Sequence, residues 1–167
     1  VSLYDKAPAT QAELQKRFGG VSSVRVLDDA GFAALPKSSF DVLLVNSVLQ
    51  YLGRDECRAL LPQLARLLKR GGRLLLADII PPDAGMVDDV GALLRSGLRH
   101  GYLMAAVASL AKTFFSDYRS LRRDLGLSTY RSEAVLALLG EQSLAARRLP
   151  QNVGFSAHRM TFEGRRD

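Results

Sequence analysis

The chain has 167 residues, 47% of them hydrophobic, which is enough for one domain with a real core. Its 23 Lys and Arg against 17 Asp and Glu give a net charge of +6, but the excess is dispersed, 11 against 9 through residue 84 and 12 against 8 after it, which disfavours a dedicated nucleic-acid surface. No stretch is long enough to span a membrane, the start lacks a signal-peptide pattern, and a lone Cys57 cannot close an internal disulfide, so a cytoplasmic setting is expected.

In chain order, Val1, Leu3 and Tyr4 predict a strand ending at Asp5. Lys6-Ala7-Pro8 breaks it, and Thr10 is the expected cap of a helix that carries Leu14 and Phe18 on one face and closes at Gly19-Gly20. A second strand is expected over Val21 to Leu27, followed by Asp28-Asp29 and a loop through Gly31 and Pro36. Phe40 to Val45 is apolar except for Asp41 and reads as a parallel strand buried on both faces. Arg54 to Lys69 places Leu60, Leu61, Leu64, Leu67 and Leu68 at helical spacing, Gly71-Gly72 is the expected stop, and Arg73 to Ala77 is a further strand: a βαβ unit.

After Pro81-Pro82 the chain predicts a helix from Asp83 to Leu98, a joint at Arg99-His100-Gly101, and a longer helix. In that helix Leu103, Val107, Leu110, Phe114, Tyr118, Leu121 and Leu125 form one apolar stripe, suited to packing on the sheet, covering a substrate or forming a homodimer. A short helix from Glu133 to Leu139 follows, closed by Gly140. Leu144 to Leu149 and Ala157 to Phe162 suit two final strands. The alternation of strands and helices predicts an α/β fold: a three-layer αβα sandwich around a mostly parallel sheet, with a helical insertion over 83–130 before the last two strands.

In such sheets ligands lie beyond the carboxyl ends of the strands. Asp5, Asp28 or Asp29, Asn46 with Ser47, and Asp78 all stand at predicted strand ends. A carboxylate there can accept both hydrogen bonds of a ribose diol, so several in a row favour a nucleotide-like ligand over independent turn residues. Asp78 reads as a loop or capping acid.

The strings LDDAGFAALPKSSFDVLLVNSVLQYL and LARLLKRGGRLLLADIIPP resemble class I S-adenosylmethionine-dependent methyltransferases, whose fold is Rossmann-like. The resemblance covers residues 1–82 well and the rest in outline. It implies S-adenosyl-L-methionine as cofactor: Asp5 on the ribose hydroxyls, Asp29 (or Asp28) and the backbone of Ala30 facing the adenine, and Asn46 and Ser47 under the methionine portion. It implies a single domain and specificity in the 83–130 insertion; small metabolite, lipid, sugar, protein and nucleic acid all fit as acceptor, with a small molecule the first choice. It further implies that the family's first strand and glycine-rich loop precede the residues given, since the pattern opens at the second strand.

Methyl transfer needs a base only when the acceptor carries a proton to remove. His100 and Tyr102 are the candidates, with Tyr118, Tyr130 and His158 behind them. The two His and one Cys do not stand at metal-ligand spacing. Two other readings share the sheet: a methyltransferase-like interaction module without catalysis, and a nicotinamide-dependent oxidoreductase. Against the short-chain form of the latter, no Tyr is followed by Lys four residues on.

Overall fold

The computed structural model describes residues 1–83, 91, 98, 99, 101, 104, 127–154 and 156–167. The expected helix over 83–98, the apolar stripe over 103–125, His100, Tyr102 and Tyr118 lie largely or wholly outside the described residues. The chain divides into two compact units, Val1–Ser39 and Phe40–Asp167.

The first unit contains β1 (Ser2–Tyr4), α1 (Pro8–Phe18), β2 (Arg25–Leu27) and α2 (Asp29–Ala33). β1 and β2 pair in parallel, Ser2 opposite Arg25 and Tyr4 opposite Leu27. The helix α1 begins earlier than expected. Pro8 stands in its first turn, where a missing N–H costs nothing, and Ala7 is the N-cap, so Thr10 lies inside the helix and does not cap it. Lys16 and Arg17 in the last turn favour the carbonyl end. The second strand is shorter than expected, because the Val24 N–H closes a turn onto the Val21 carbonyl at 2.9 Å and removes residues 21–24 from the pairing. The expected loop after Asp28-Asp29 contains α2, which Asp28 caps by accepting the Gly31 N–H at 2.7 Å.

The second unit contains β3 (Phe40–Asn46), a 3-10 turn (Leu49–Tyr51), α3 (Arg54–Leu67), β4 (Leu68–Ile79), α4 (Ser132–Gly140), β5 (Leu144–Arg148) and β6 (Met160–Arg166). Its sheet runs β3-β4-β6-β5, with β3 parallel to β4 and the β4/β6 and β6/β5 pairs antiparallel. Glu56 accepts the Gly53 N–H at 2.7 Å and starts α3. The buried stripe Cys57, Leu61, Leu64 and Leu67 then packs with Leu74, Leu76, Val135, Leu139 and Phe162 to form the core. Glu163, buried on β6, binds Arg147 of β5 at 3.0 Å and stands 3.8 Å from Arg73 of β4, so one carboxylate ties three strands.

Four expectations fail here. Helix α3 ends at Leu67, not Lys69, because Leu68 is already extended (ψ 137°) and pairs with Phe40. Gly71-Gly72 therefore does not stop a helix but forms a bulge inside β4, where the pairing jumps from Phe40/Leu68 to Val42/Arg73. Strand β3 stands at an edge of its sheet, with Val42 and Leu44 44% and 53% exposed, so burial on both faces is not met within the described structure. The last strand also starts later than expected, at Met160, which leaves His158 in an exposed turn.

Candidate cofactor and ligand site

At the end of β1 the Asp5 carboxylate accepts the Ala7 N–H through Oδ1 at 2.8 Å. This bond fixes the turn into α1 and leaves Oδ2 available. Gln11 of α1 donates to the Asp5 carbonyl at 2.7 Å and, more weakly, to Asp29 Oδ1 at 3.4 Å. Asp29 Oδ1 also accepts the Tyr4 hydroxyl at 2.9 Å, and the Tyr4 ring stacks on Phe32 with centroids 4.5 Å apart. Burial, then this bond to a carboxylate, push the Tyr4 phenol up from its ordinary range. Asp5 and Asp29 are thus joined through Gln11 within the first unit, and Ala30 is exposed in the first turn of α2. Asp28 has one oxygen committed to its cap. A groove of about 730 Å³ in the same unit, lined by Gln11, Gln15, Arg25, Leu27 and Leu35 among others, includes neither Asp5 nor Asp29.

In the second unit, β3 ends in Asn46, whose amide donates to Ser47 Oγ at 3.2 Å. Ser47 in turn donates to Asp78 Oδ2 at 2.6 Å. Ser47 and Asp78 both have positive φ, 56° and 62°, conformations that non-glycine residues hold only where surrounding bonds enforce them. Asp78, read from sequence as a loop or capping acid, is instead the centre of a buried network. Its Oδ2 meets Arg159 Nη1 at 2.7 Å, with the two side chains 8% and 10% exposed. Its Oδ1 accepts the Asn152 amide at 3.1 Å, and its own N–H donates to Asn152 Oδ1 at 3.1 Å. Arg159 Nη1 also donates to Gln50 Oε1 at 3.0 Å, and Thr161 Oγ1 donates to Asn152 Oδ1 at 2.7 Å. A Cβ on Gly154 would stand 2.7 Å from Asp78 Oδ1, so only glycine lets the loop approach this carboxylate. A buried ion pair is tolerated when its remaining lone pairs and protons find partners, and here both oxygens of Asp78 accept hydrogen bonds.

Gln50, Asn152 and Arg159 were not singled out from sequence. Asp78 carried a faint signal, an acid directly after the apolar run Leu74–Ala77, but its partners lie 74 and 81 residues away and nothing local marks them. Of the further base candidates, Tyr130 is excluded by its contacts. Its hydroxyl donates to the Leu52 carbonyl at 2.9 Å and lies 3.1 Å from Cys57 Sγ. Burial pushes this phenol well up, the wrong direction for a proton acceptor. Among the described residues no group of three or more His, Cys, Asp or Glu converges as a metal site would require. No helix among them is long and apolar enough to cross a membrane.

Residues 3–76 match the family model of the methyltransferase domain. No curated protein matches the sequence. Among solved structures, the chain is similar to the S-adenosylmethionine-dependent methyltransferase SibL in its apo form, with a TM-score of 0.63 and 16% identity over 99% of this chain and 43% of that one. It is also similar to magnesium protoporphyrin IX methyltransferase from Synechocystis with bound SAH, S-adenosylhomocysteine (0.58, 16%, 100% and 64%). A third is an O-methyltransferase family 2 protein from Planctomyces limnophilus in complex with apigenin (0.55, 20%, 99% and 43%). The chain spans 43% to 64% of the length of these structures. The fold is α/β and Rossmann-like, as they are.

Proposed function

We propose that this chain is a class I S-adenosylmethionine-dependent methyltransferase that serves methyl transfer from S-adenosyl-L-methionine to a small organic acceptor, a reading supported by its Rossmann-like fold and its match over residues 3–76. The observation that carries the reading is that match, which runs through Asp5, Asp29 and the Asn46-Ser47 strand end. Similarity to structures holding SAH and apigenin supports the cofactor and the size class of the acceptor.

The residues suit the group. With Oδ1 held by Ala7, Asp5 can offer Oδ2 to a ribose hydroxyl from a fixed position. Asp28 is committed to its cap, so Asp29, steadied by Tyr4, is the better partner for an adenine amine, with the Ala30 backbone beside it. Asn46 and Ser47 are assigned to the methionine portion, Ser47 being immobilised by Asp78. The cofactor supplies a methyl group on a sulfonium, an electrophile needing no metal or covalent help from the protein. The chain's own residues therefore act by holding the donor and excluding misaligned approaches. The 83–130 segment, with His100 and Tyr102, is proposed to contact the acceptor.

Calorimetric titration with S-adenosylhomocysteine tests this. Saturable binding is expected, with Asp5→Ala weakening it by roughly 10-fold or more, the effect of removing a charged hydrogen-bond acceptor. Heat on adding NAD and none on adding S-adenosylhomocysteine would replace this reading with the oxidoreductase one.

A further inference from the structure

Gln50 is 7% exposed and lies in the 3-10 turn that follows β3, three residues after Ser47. Its main chain is anchored, the carbonyl accepting the Ser128 N–H at 2.9 Å. Its side-chain orientation is decided by chemistry. A guanidinium only donates, so the amide oxygen must face Arg159 Nη1, 3.0 Å away, and the NH2 group is turned from it. Arg159 is itself held by Asp78 at 2.7 Å, so the amide cannot exchange its two ends without losing a buried bond.

The NH2 group has no hydrogen-bond partner among the described residues. Ser156 Oγ is the sealed side-chain polar atom left without a partner among them, and Gln50 Nε2 is not so sealed in. A buried amide with one end clamped and its donor end unused is costly unless something accepts from it. The position fits a ligand, since Gln50 lies at the carboxyl end of β3, the edge at which open α/β sheets bind ligands. Beside it, Ser47 and Asp78 are locked in left-handed conformations.

We propose that Gln50 is an acceptor-binding residue: its side-chain NH2, fixed by Arg159 and Asp78, donates a hydrogen bond to an oxygen of the methyl acceptor, a small molecule bearing a phenol or carboxylate. The proposal rests on the methyltransferase reading for the word acceptor, but not for the existence of the binding group. An amide takes up no proton at ordinary pH, so Gln50 orients this oxygen and does not deprotonate it.

The experiment uses 4-hydroxybenzoate, which carries both oxygen types, and the isosteric variant Gln50→Glu, which keeps an oxygen for Arg159 and deletes the donor. In ¹⁵N-labelled protein the Gln50 side-chain NH2 signals, identified by their loss in Gln50→Glu, should move saturably as 4-hydroxybenzoate is added. Gln50→Glu should bind this probe roughly 10-fold more weakly or worse, with its melting temperature not lowered and its S-adenosylhomocysteine affinity within about 2-fold of the parent. A purely structural Gln50 would leave the variant's probe binding unchanged. That result, or an NH2 signal indifferent to the probe, overturns the proposal. S-adenosylhomocysteine failing to bind while the NH2 signal still responds would refute the cofactor reading and leave Gln50 as a ligand donor.

Discussion

Asp78 and Arg159 show how one buried charge pair can set the geometry of a strand end. Asp78 is shared among Ser47, Asn152 and Arg159, and Arg159 bridges onward to Gln50. Removing only the cation leaves a carboxylate that is 8% exposed without its counter-charge. Arg159→Met should therefore cost about 3–5 kcal/mol of unfolding free energy. The double variant Asp78→Asn/Arg159→Met should recover part of that, because asparagine needs no counter-charge. Urea denaturation of the two variants checks the order, and a double variant less stable than Arg159→Met would contradict it. Cys57 and Tyr130 form a second buried polar contact, in which burial raises both acids and both therefore stay protonated.

At the scale of elements, the bulge at the start of β4 shows how a sequence signal can be read correctly as irregular and wrongly as to kind. Two glycines after a leucine-rich helix suggest a helix stop. Here the helix ends four residues before Gly71, and the pair is needed because the backbone doubles up within the strand. Gly71 has φ of 72°, and a Cβ on Gly72 would stand 2.8 Å from the Lys69 carbonyl and 3.1 Å from that of Phe40. Both obstacles are backbone atoms, which cannot rotate aside as a side chain would. Gly72→Ala is expected to destabilise the fold by about 1–3 kcal/mol through forced backbone displacement, read as a lower urea midpoint with unchanged m-value. Asp28 carries a similar lesson. The acid pair Asp28-Asp29 was legible as a polar end after the second strand, but only the helix α2 that follows assigns one of the two to capping.

At the scale of the molecule, the groups among the described residues whose acidity the fold clearly changes are Tyr4, Cys57 and Tyr130, all raised, with burial the first cause in each. For an acid whose folded pKa exceeds its unfolded one, the stabilisation is fully present below the unfolded value. It is lost as pH climbs through the folded value, since the unfolded chain releases the proton first. Unfolded Cys and Tyr titrate near about 8.5 and 10. Unfolding free energy should therefore begin to fall above about pH 8.5 and fall more steeply above about pH 10. Urea midpoints measured from pH 7.5 to about 10.5 test this, and Cys57→Ala should lose the earlier part of the decline. A midpoint that rises with pH over that range would contradict the assignment.

Periodicity and strand-end chemistry determined much of this protein by themselves: the βαβ unit, the leucine stripe of α3, the helix α4, the paired final strands, and Asp5, Asp29, Asn46 and Ser47 as polar ends. These are local properties, because an apolar repeat specifies which face is buried whatever it meets. The tertiary structure decided which polar residues act together. Asp78 became a network centre only when Asn152 and Arg159 arrived from 74 and 81 residues away, and Gln50 acquired an oriented donor only when Arg159 took its oxygen. Such pairings depend on the sheet order that sets β6 beside β4, and a single sequence carries no periodic signal for contacts made at that distance.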